Sequence, residues 1–137
     1  LPLFGEDLER EQGYPDALAE LLDKVKSCDG LMISVNEHNG SISAFFKNVL
    51  DWLSRIEYKF LEGKKVLLMS ASPGKRGALS AYEYTKGVLP RYGGEVLDGV
   101  NFPSFGDNYS AEEKKVSNAD LSTQIEHAVS NFLTAID

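Results

Sequence analysis

Apolar residues in this chain alternate between helical spacing and short continuous runs. The helix that follows Pro15 ends at Asp29-Gly30 and carries on one face Leu18, Leu21, Leu22 and Val25. Two continuous runs, residues 31–35 and 66–70, predict strands that are covered on both faces, as in a parallel sheet. Residues 95–100 predict a third, weaker strand, and residues 1–13 an irregular segment.

The helix after Ser43 has an unusually wide apolar stripe. Ser43 can cap its first turn, and its two apolar rows are Phe46, Val49, Leu50, Leu53 and Phe45, Val49, Trp52, Ile56. A stripe of this width predicts packing on the sheet with one side and on something else with the other. Burial against the last helix would explain the second side.

Two more helices complete the pattern. One stops at Pro90 and Gly93-Gly94 and carries along one side Leu79, Tyr82, Lys86 and Leu89. The sequence Ser110-x-x-Glu113 fits a capping box that begins the last helix, whose apolar residues are Leu121, Ile125, Val129, Phe132 and Ile136. Strands that alternate with helices predict an α/β fold with a parallel sheet. Three strands make a narrow sheet, so we expect further strands from elsewhere.

Composition and charge restrict the class of partner. The 137 residues suit a single domain over 1–137, and the formal net charge of −7 disfavours nucleic acid and anionic membranes. No run is long and apolar enough to span a bilayer, and no signal peptide is visible. The single cysteine, Cys28, excludes an internal disulfide and is interpreted as a small core residue. We therefore expect a cytoplasmic protein.

Two polar loops leave the predicted carboxyl ends of neighbouring strands, residues 36–43 and 70–77. Ligands of open α/β sheets bind at this end, and both loops run into helix N-termini, whose free N–H groups suit anionic or oxygen-rich ligands. The glycines allow backbone to approach a flat heteroaromatic ring, and the side chains add neutral donors and acceptors. The candidate cofactor-binding residues from this reasoning are Asn36, Asn39, Gly40, Ser41, Ser70, Ser72, Gly74 and Gly77.

Other chemistries lack their residues. No group of His, Cys and carboxylates has metal-ligand spacing. Gly74-Lys75 does not form a nucleotide phosphate loop, because Met69 stands where that motif needs Gly and Arg76 where it needs Ser or Thr. The Gly-x-Ser-x-Gly elbow of the α/β-hydrolases is also missing.

The first loop and the helix after it resemble the NADPH-dependent FMN reductase family. Its hallmark is Pro-Glu-Tyr-Asn, a Ser, and a Lys-Asn-x-x-Asp-Trp helix, matched here by Glu37, Asn39, Ser41 and the run Lys47-Asn48-Val49-Leu50-Asp51-Trp52. The run Ser70-Ala71-Ser72-Pro73-Gly74 resembles the loop after the fourth strand, and Leu1-Pro2-Leu3-Phe4 the segment after the second. Asn36 replaces the Pro of the hallmark, and His38 its Tyr.

The resemblance implies a flavodoxin-like open parallel sheet with helices on both faces, of which this chain supplies strands three to five. The family's first strand and phosphate-binding loop have no counterpart here, so the single domain is expected to be truncated at its N-terminus. The implied cofactor is FMN, with NADPH or NADH as co-substrate, and the resemblance adds Glu37, His38 and Pro73 to the candidate cofactor-binding residues. Family members are usually dimers or tetramers, and the helix around Phe45 and Trp52 would form the subunit interface.

The implied activity is FMN-dependent NAD(P)H oxidation, in which a hydride passes to bound flavin and the electrons to a quinone, flavin, azo dye or metal oxyanion. No protein acid or base is needed, so no catalytic residue is assigned. Two alternatives remain open. One is a flavodoxin-like FMN-binding electron carrier, favoured by the acidic charge, and the other is an inactive truncated remnant.

Overall fold

The computed structural model describes all residues from 1 to 137. Its helices are α1 (Glu6–Gln12), α2 (Asp16–Ser27), α3 (Ala44–Ile56), α4 (Leu79–Val88), α5 (Phe105–Asn108) and α6 (Ala119–Ile136), and a 3₁₀ turn spans Leu89–Tyr92. Its strands are β1 (Gly30–Val35), β2 (Glu37–His38), β3 (Ser41–Ile42), β4 (Lys65–Ala71), β5 (Glu95–Val96), β6 (Val100–Phe102), β7 (Tyr109–Ser110) and β8 (Lys115–Val116). No helix combines the length and the apolar composition that a membrane crossing requires.

Strand β4 is the centre of a parallel sheet. β1 pairs along one side of it, from Gly30 opposite Lys65 to Val35 opposite Ser70. β5 and β6 both pair along its other side, so the single strand predicted over 95–100 is broken in two. Gly99 lies in the break, where a Cβ atom would overlap the carbonyl oxygen of Leu68. The break therefore marks a close backbone approach that only glycine permits.

Helices cover both faces of the sheet, as predicted for the α/β class. Val66 and Leu68 of β4 pack under α2, α3 and α4, while Leu67 packs with β6 under α6. All three side chains are fully buried. The prediction that β4 is covered on both faces is confirmed.

The same prediction is wrong for β1. Leu31 and Ile33 pack against the cluster under α2 and α3, but Met32 and Ser34 on the opposite face are exposed, with Met32 at 51%. The reason is position, because β1 is an edge strand of this sheet and α6 covers β4 and β6 instead.

Residues 1–13 are more ordered than the sequence indicates. The structure places helix α1 there between Gly5 and Gly13, with no buried residue. Its Glu9 carboxylate pairs with the Arg55 guanidinium of α3 at 2.9 Å, and Leu8 packs against the core. The periodicity missed α1 because one apolar contact and one ion pair to a distant helix attach it.

The leading segment, residues 2–4, is attached to α3 by hydrogen bonds between its backbone and side chains of that helix. The Asn48 side chain accepts from the N–H of Phe4 at 2.7 Å and donates to the carbonyl oxygen of Pro2 at 2.8 Å. The Trp52 indole N–H donates to the same Pro2 oxygen at 2.8 Å. The rings of Phe4 and Trp52 meet edge to face at 5.1 Å between centroids. Asn48 and Trp52, one turn apart, therefore fix residues 2–4.

The two residues named for the predicted subunit interface differ in exposure. The side chain of Trp52 is fully buried within this chain, whereas Phe45 on the same helix is 86% exposed. The leading segment covers Trp52, so Phe45 is the residue of this pair that a second subunit could reach, and the interface stays a prediction. Cys28 differs from its interpretation, because its thiol is exposed and bonds to the Lys24 carbonyl oxygen.

The last helix begins later than the capping box predicts. The Ser110 hydroxyl does accept from the N–H of Glu113 at 3.1 Å, but the residues form a turn between β7 and β8. Asn118 is the true cap of α6, accepting from the N–H of Leu121. The predicted apolar face of α6 is confirmed, with Leu121 and Phe132 buried.

Candidate functional site

The two predicted loops meet at one edge of the sheet. Val35, the last residue of β1, lies opposite Ser70 of β4, so the loops that leave these strands start side by side. This juxtaposition was predicted from the order of the elements alone.

The first loop is a β-hairpin. β2 and β3 pair as Glu37 with Ile42 and His38 with Ser41, joined by the two-residue turn Asn39-Gly40. Both turn residues have positive φ, 51° and 75°, as a type I′ turn requires. Asn-Gly is the strongest short-range sequence signal for such a hairpin, so the hairpin was predictable from the sequence. Asn36 lies at the base, with its amide nitrogen 3.1 Å from Nε2 of His38.

The hairpin is attached to α4 by a carboxylate. Oε2 of Glu37 accepts a hydrogen bond from the N–H of Ala81 at 3.1 Å, in the first turn of that helix. Helix α4 begins after Ala78, whose side chain cannot cap it. Glu37 therefore supplies from another loop the acceptor that a capping side chain would provide.

Helix α3 is capped from within its own loop. The Ser43 hydroxyl accepts from the N–H of Phe46 at 3.2 Å, as predicted. Together with the bond from Ala81 to Glu37, this corrects the expectation of free N–H groups at both helix N-termini. At each helix a protein oxygen already accepts from a first-turn amide.

The second loop is folded around buried polar groups. Ser70 is 2% exposed, and its hydroxyl donates to the carbonyl oxygen of Gly77 at 2.8 Å. The side-chain amide of Asn101, in β6, donates to Ser70 Oγ at 3.0 Å, to the Arg76 oxygen at 3.1 Å and to the Gly77 oxygen at 2.6 Å. The hydroxyl of Ser70 is therefore directed into the protein.

Gly77 is required by both its conformation and its surroundings. Its φ of +59° favours glycine, and a Cβ atom there would lie 2.8 Å from Asn101 Nδ2 and from the Phe102 oxygen. The loop thus packs directly on β6, and Gly77 shapes it.

Backbone hydrogen bonds join this loop to the segment after β6. The N–H of Ser72 donates to the Phe102 oxygen at 3.2 Å, and the Ser72 oxygen accepts from the N–H of Phe105 at 3.0 Å. The Gly74 oxygen accepts from the N–H of Ser104 at 2.9 Å and from that of Gly77 at 3.1 Å. The second bond closes a β-turn over residues 74–77.

Three successive backbone N–H groups in this turn have no hydrogen-bond acceptor within the chain. The N–H groups of Gly74, Lys75 and Arg76 donate no hydrogen bond within the chain, and all three residues are exposed. Pro73 before them is exposed and Ser72 half-buried. Adjacent N–H groups of this kind form a concave donor site for oxygen acceptors or anions. We call residues 74–76 the amide row.

Sequence reasoning missed the residues around the loop. Asn101 directly follows the strand predicted over 95–100, where an amide facing a glycine-rich loop gives no local signal. Phe105 and Tyr109 stack at 5.0 Å beside a groove of about 290 Å³ on the α6 face of the sheet. Neither aromatic residue follows a periodic pattern that would have identified the groove.

Two titrating groups lie on the helices that leave the loops. On α4, burial raises the pKa of Tyr82, and the nearby Asp98 carboxylate adds to the rise. On α3, the hydrogen bond to Asp51 raises the pKa of Lys47, and Nζ and Oδ1 lie 2.5 Å apart. The Lys47–Asp51 pair lies at i, i+4 on the exposed side of α3.

Comparison with known proteins decides the family. The model of the family described as NADPH-dependent FMN reductase matches residues 1–107. The chain belongs to this family. The resemblance carried by the Asn48–Trp52 helix and the Ser70–Gly74 run is thereby confirmed.

Relatives within the family include a quinone reductase of Escherichia coli (strain K12). It is 29% identical over 117 residues, which make up 78% of this chain and 62% of the relative. A probable NADPH:quinone oxidoreductase 1 of Oryza sativa subsp. japonica is 37% identical over 83 residues, 60% of this chain and 42% of the relative. The chain thus spans about three fifths of the bacterial relative's length and less of the plant relative's.

Solved structures confirm the flavodoxin-like fold. FerB, a flavoenzyme NAD(P)H:(acceptor) oxidoreductase from Paracoccus denitrificans, superposes with a TM-score of 0.78 at 24% identity, over 99% of this chain and 75% of that one. The apo form of the NADH:FMN oxidoreductase EMOB gives 0.68 at 21% identity, over 99% and 68%.

Proposed function

We propose that this chain forms the ring-binding part of an FMN-dependent NAD(P)H oxidoreductase. The amide row carries the proposal, because it sets three unpaired donors in a loop that starts beside the loop of the Asn39-Gly40 turn, at the carboxyl edge of the sheet. The pyrimidine edge of an isoalloxazine ring presents carbonyl and ring-nitrogen acceptors, which backbone N–H groups can read. Family membership and relatives named as quinone reductases support the same reading.

The proposed site residues divide into two groups. Those whose backbone or side chain is accessible to the ring are Asn36, His38, Asn39, Gly40, Ser41, Ser72, Pro73 and Gly74. Glu37, Ser70 and Gly77 belong to the site through the contacts that shape its loops. When bound, FMN would supply the redox chemistry, with NADPH or NADH as hydride donor and a quinone, flavin, azo dye or metal oxyanion as electron acceptor. The protein's share is binding and orientation, so no catalytic side chain is proposed.

An FMN-binding electron carrier is the second candidate, and the net charge of −7 favours it because acidic surfaces steer docking to redox partners. Direct oxidation of NAD(P)H separates the two candidates. An oxidoreductase consumes NADPH or NADH with FMN and a quinone alone, whereas a carrier needs a partner reductase.

We propose a homodimer or homotetramer in the cytoplasm. The family resemblance supports the oligomer, and Phe45, which is 86% exposed on the helix that the resemblance places at the interface, is the residue to test. The exposed free thiol of Cys28 suits a reducing compartment. Light scattering of the wild type and of Phe45→Ser tests the interface, and a wild-type monomer would contradict it.

The first experiment measures FMN binding by quenching of flavin fluorescence and NAD(P)H oxidation by absorbance. Lys75 occupies the second position of the β-turn, where proline is favoured, and its φ is not positive. Lys75→Pro therefore removes the central N–H of the amide row and is expected to weaken FMN binding about tenfold, the equivalent of one hydrogen bond.

Lys75→Ala is the matched control, because it removes the same charge and keeps the N–H. We expect its FMN affinity to remain within about twofold of wild type. Equal losses in both variants would mean that charge, and not the amide row, holds the ligand. A wild-type chain that neither retains FMN nor oxidises NAD(P)H would contradict the proposed function.

A further inference from the structure

The amide row is held from outside its own loop by two side chains. We infer that Glu37 and Asn101 are positioning residues that keep residues 74–76 in the conformation that receives the ligand. This inference rests on the proposed function and adds to it, because it assigns a role to one residue outside both loops. It also assigns Glu37 to the support of the loop and not to contact with the ligand.

Asn101 fixes the end of the amide row. Its side-chain amide reaches the carbonyl oxygens of Arg76 and Gly77 at 3.1 and 2.6 Å. The Arg76 carbonyl and the Gly77 N–H belong to one planar peptide, so an oxygen held by Asn101 also sets the direction of that N–H. The Gly77 N–H closes the β-turn onto the Gly74 oxygen at 3.1 Å. Asn101 therefore stabilises the turn that exposes the three amides.

Glu37 acts on the other side of the same loop. Its carboxylate joins the hairpin to the N–H of Ala81, 44 residues later, at the start of the helix that leaves the loop. Asn101 joins β6 to Ser70, 31 residues earlier, at the end of the strand that enters it. The loop is thus fixed at its entrance and its exit by partners from two different elements.

This geometry predicts preorganisation. A loop that is ordered before binding loses less conformational entropy when a ligand arrives. Removal of either side chain leaves the loop with its own turn and the bonds to residues 102–105, so we expect a more mobile amide row and weaker binding. Because one oxygen of Glu37 is engaged by Ala81, we expect the effect to follow the hydrogen bond and not the negative charge.

Glu37→Gln and Glu37→Ala test this directly. Gln retains an oxygen that can accept from Ala81, whereas Ala has no acceptor. We expect FMN affinity within about twofold of wild type for Glu37→Gln and about five- to tenfold weaker for Glu37→Ala. Equal losses in the two variants would overturn the inference, since they would mean that the carboxylate charge contacts the ligand.

Asn101→Asp keeps the shape of the side chain and removes its donors. The carboxylate would face three oxygen acceptors, so we expect FMN binding at least about tenfold weaker at neutral pH. Asn131→Asp, on α6, makes the same change of charge at a half-buried residue whose hydrogen bond to His127 is exposed, and it is the matched control. Unchanged binding by Asn101→Asp would overturn its role.

A second readout needs no ligand. In wild type and Glu37→Gln, we expect backbone order parameters of about 0.85 for residues 74–77 of the free protein. In Glu37→Ala and Asn101→Asp, we expect values below about 0.6. Unchanged order in the last two variants would overturn the inference even where FMN binding falls. A wild type that is rigid in this loop but does not bind FMN would contradict the proposed function alone.

Discussion

Strands β1 and β4 have almost the same apolar composition and very different surroundings. β4 is paired on both sides and buried on both faces, with Leu67 and Leu68 fully inaccessible. β1 is paired on one side only, and Met32, which lies opposite Leu67 in the register, is 51% exposed. The difference shows that an apolar run identifies a strand but does not reveal its place in the sheet.

Hydrogen exchange should give the largest contrast between the two strands. The N–H groups of β1 that point away from β4 have no partner and should exchange with an opening free energy near zero. Those of β4 should open only with the global free energy of unfolding, about 5 kcal/mol or more. Native-state exchange followed by NMR measures both, and uniform protection along β1 would show that its outer edge is covered in solution.

The register pair Leu67 and Met32 gives the next largest effect. Leu67→Ala removes a fully buried side chain between β4 and α6, so we expect a loss of about 2–5 kcal/mol in the free energy of unfolding. Met32→Ala, on the same face, should change it by no more than about 0.5 kcal/mol. Urea denaturation of both variants is the measurement. A Met32 variant as damaging as the Leu67 variant would mean that β1 is not an open edge.

Helix α3 repeats the contrast within one element. Asn48→Ala removes the acceptor for the N–H of Phe4 and one of the two donors to the Pro2 oxygen. We expect a loss of about 1–3 kcal/mol in the free energy of unfolding. Phe45→Ala, at a residue that is 86% exposed, should cost no more than about 0.5 kcal/mol. Both values come from the same denaturation experiment. Indifference to Asn48→Ala would show that the leading segment does not depend on α3.

The smallest expected effect is a pH dependence of stability through Tyr82, which lies near Gly99 on the other side of β4. Burial raises the pKa of Tyr82, so the folded state favours the neutral phenol. The resulting stability is fully present below about pH 10, the ordinary tyrosine value, and is lost as pH rises through the raised pKa of the folded state. Tyr82→Phe should therefore lose less stability above that pH than wild type does. Tyr14→Phe, at an exposed residue, is the control, and parallel curves for Tyr82→Phe and wild type would contradict the assignment.

Much of the fold was predictable because its signals are local. The periodicities of α2, α3, α4 and α6 and the run of β4 concern neighbours in the sequence. Helix α1 was missed because the contacts that attach it are distant, as with Arg55 and Glu9. The break at Gly99 was missed for the same reason, since it depends on the backbone of Leu68.

The site was predictable in position and less so in detail. The order of strands places the loops together, and the Asn39-Gly40 turn carries its own signal. Glu37 was assigned to the ligand by the family resemblance and Ser70 by its residue type, but each is engaged by a protein partner far along the chain, Ala81 and Asn101. Sequence spacing does not show whether a polar side chain faces a ligand or another loop.

Asn48 and Trp52, which clamp the leading segment, belong to the Lys47–Trp52 run that carries the family resemblance, so this run has a structural role. These two residues bind the backbone of Pro2 and Phe4, and the Trp52 ring also meets the Phe4 ring edge to face. A change of ligand could therefore be accommodated in the loops while this contact stays unaltered. The Lys47–Trp52 run thus reports on the architecture of this chain, and its chemistry has to be sought in the loops.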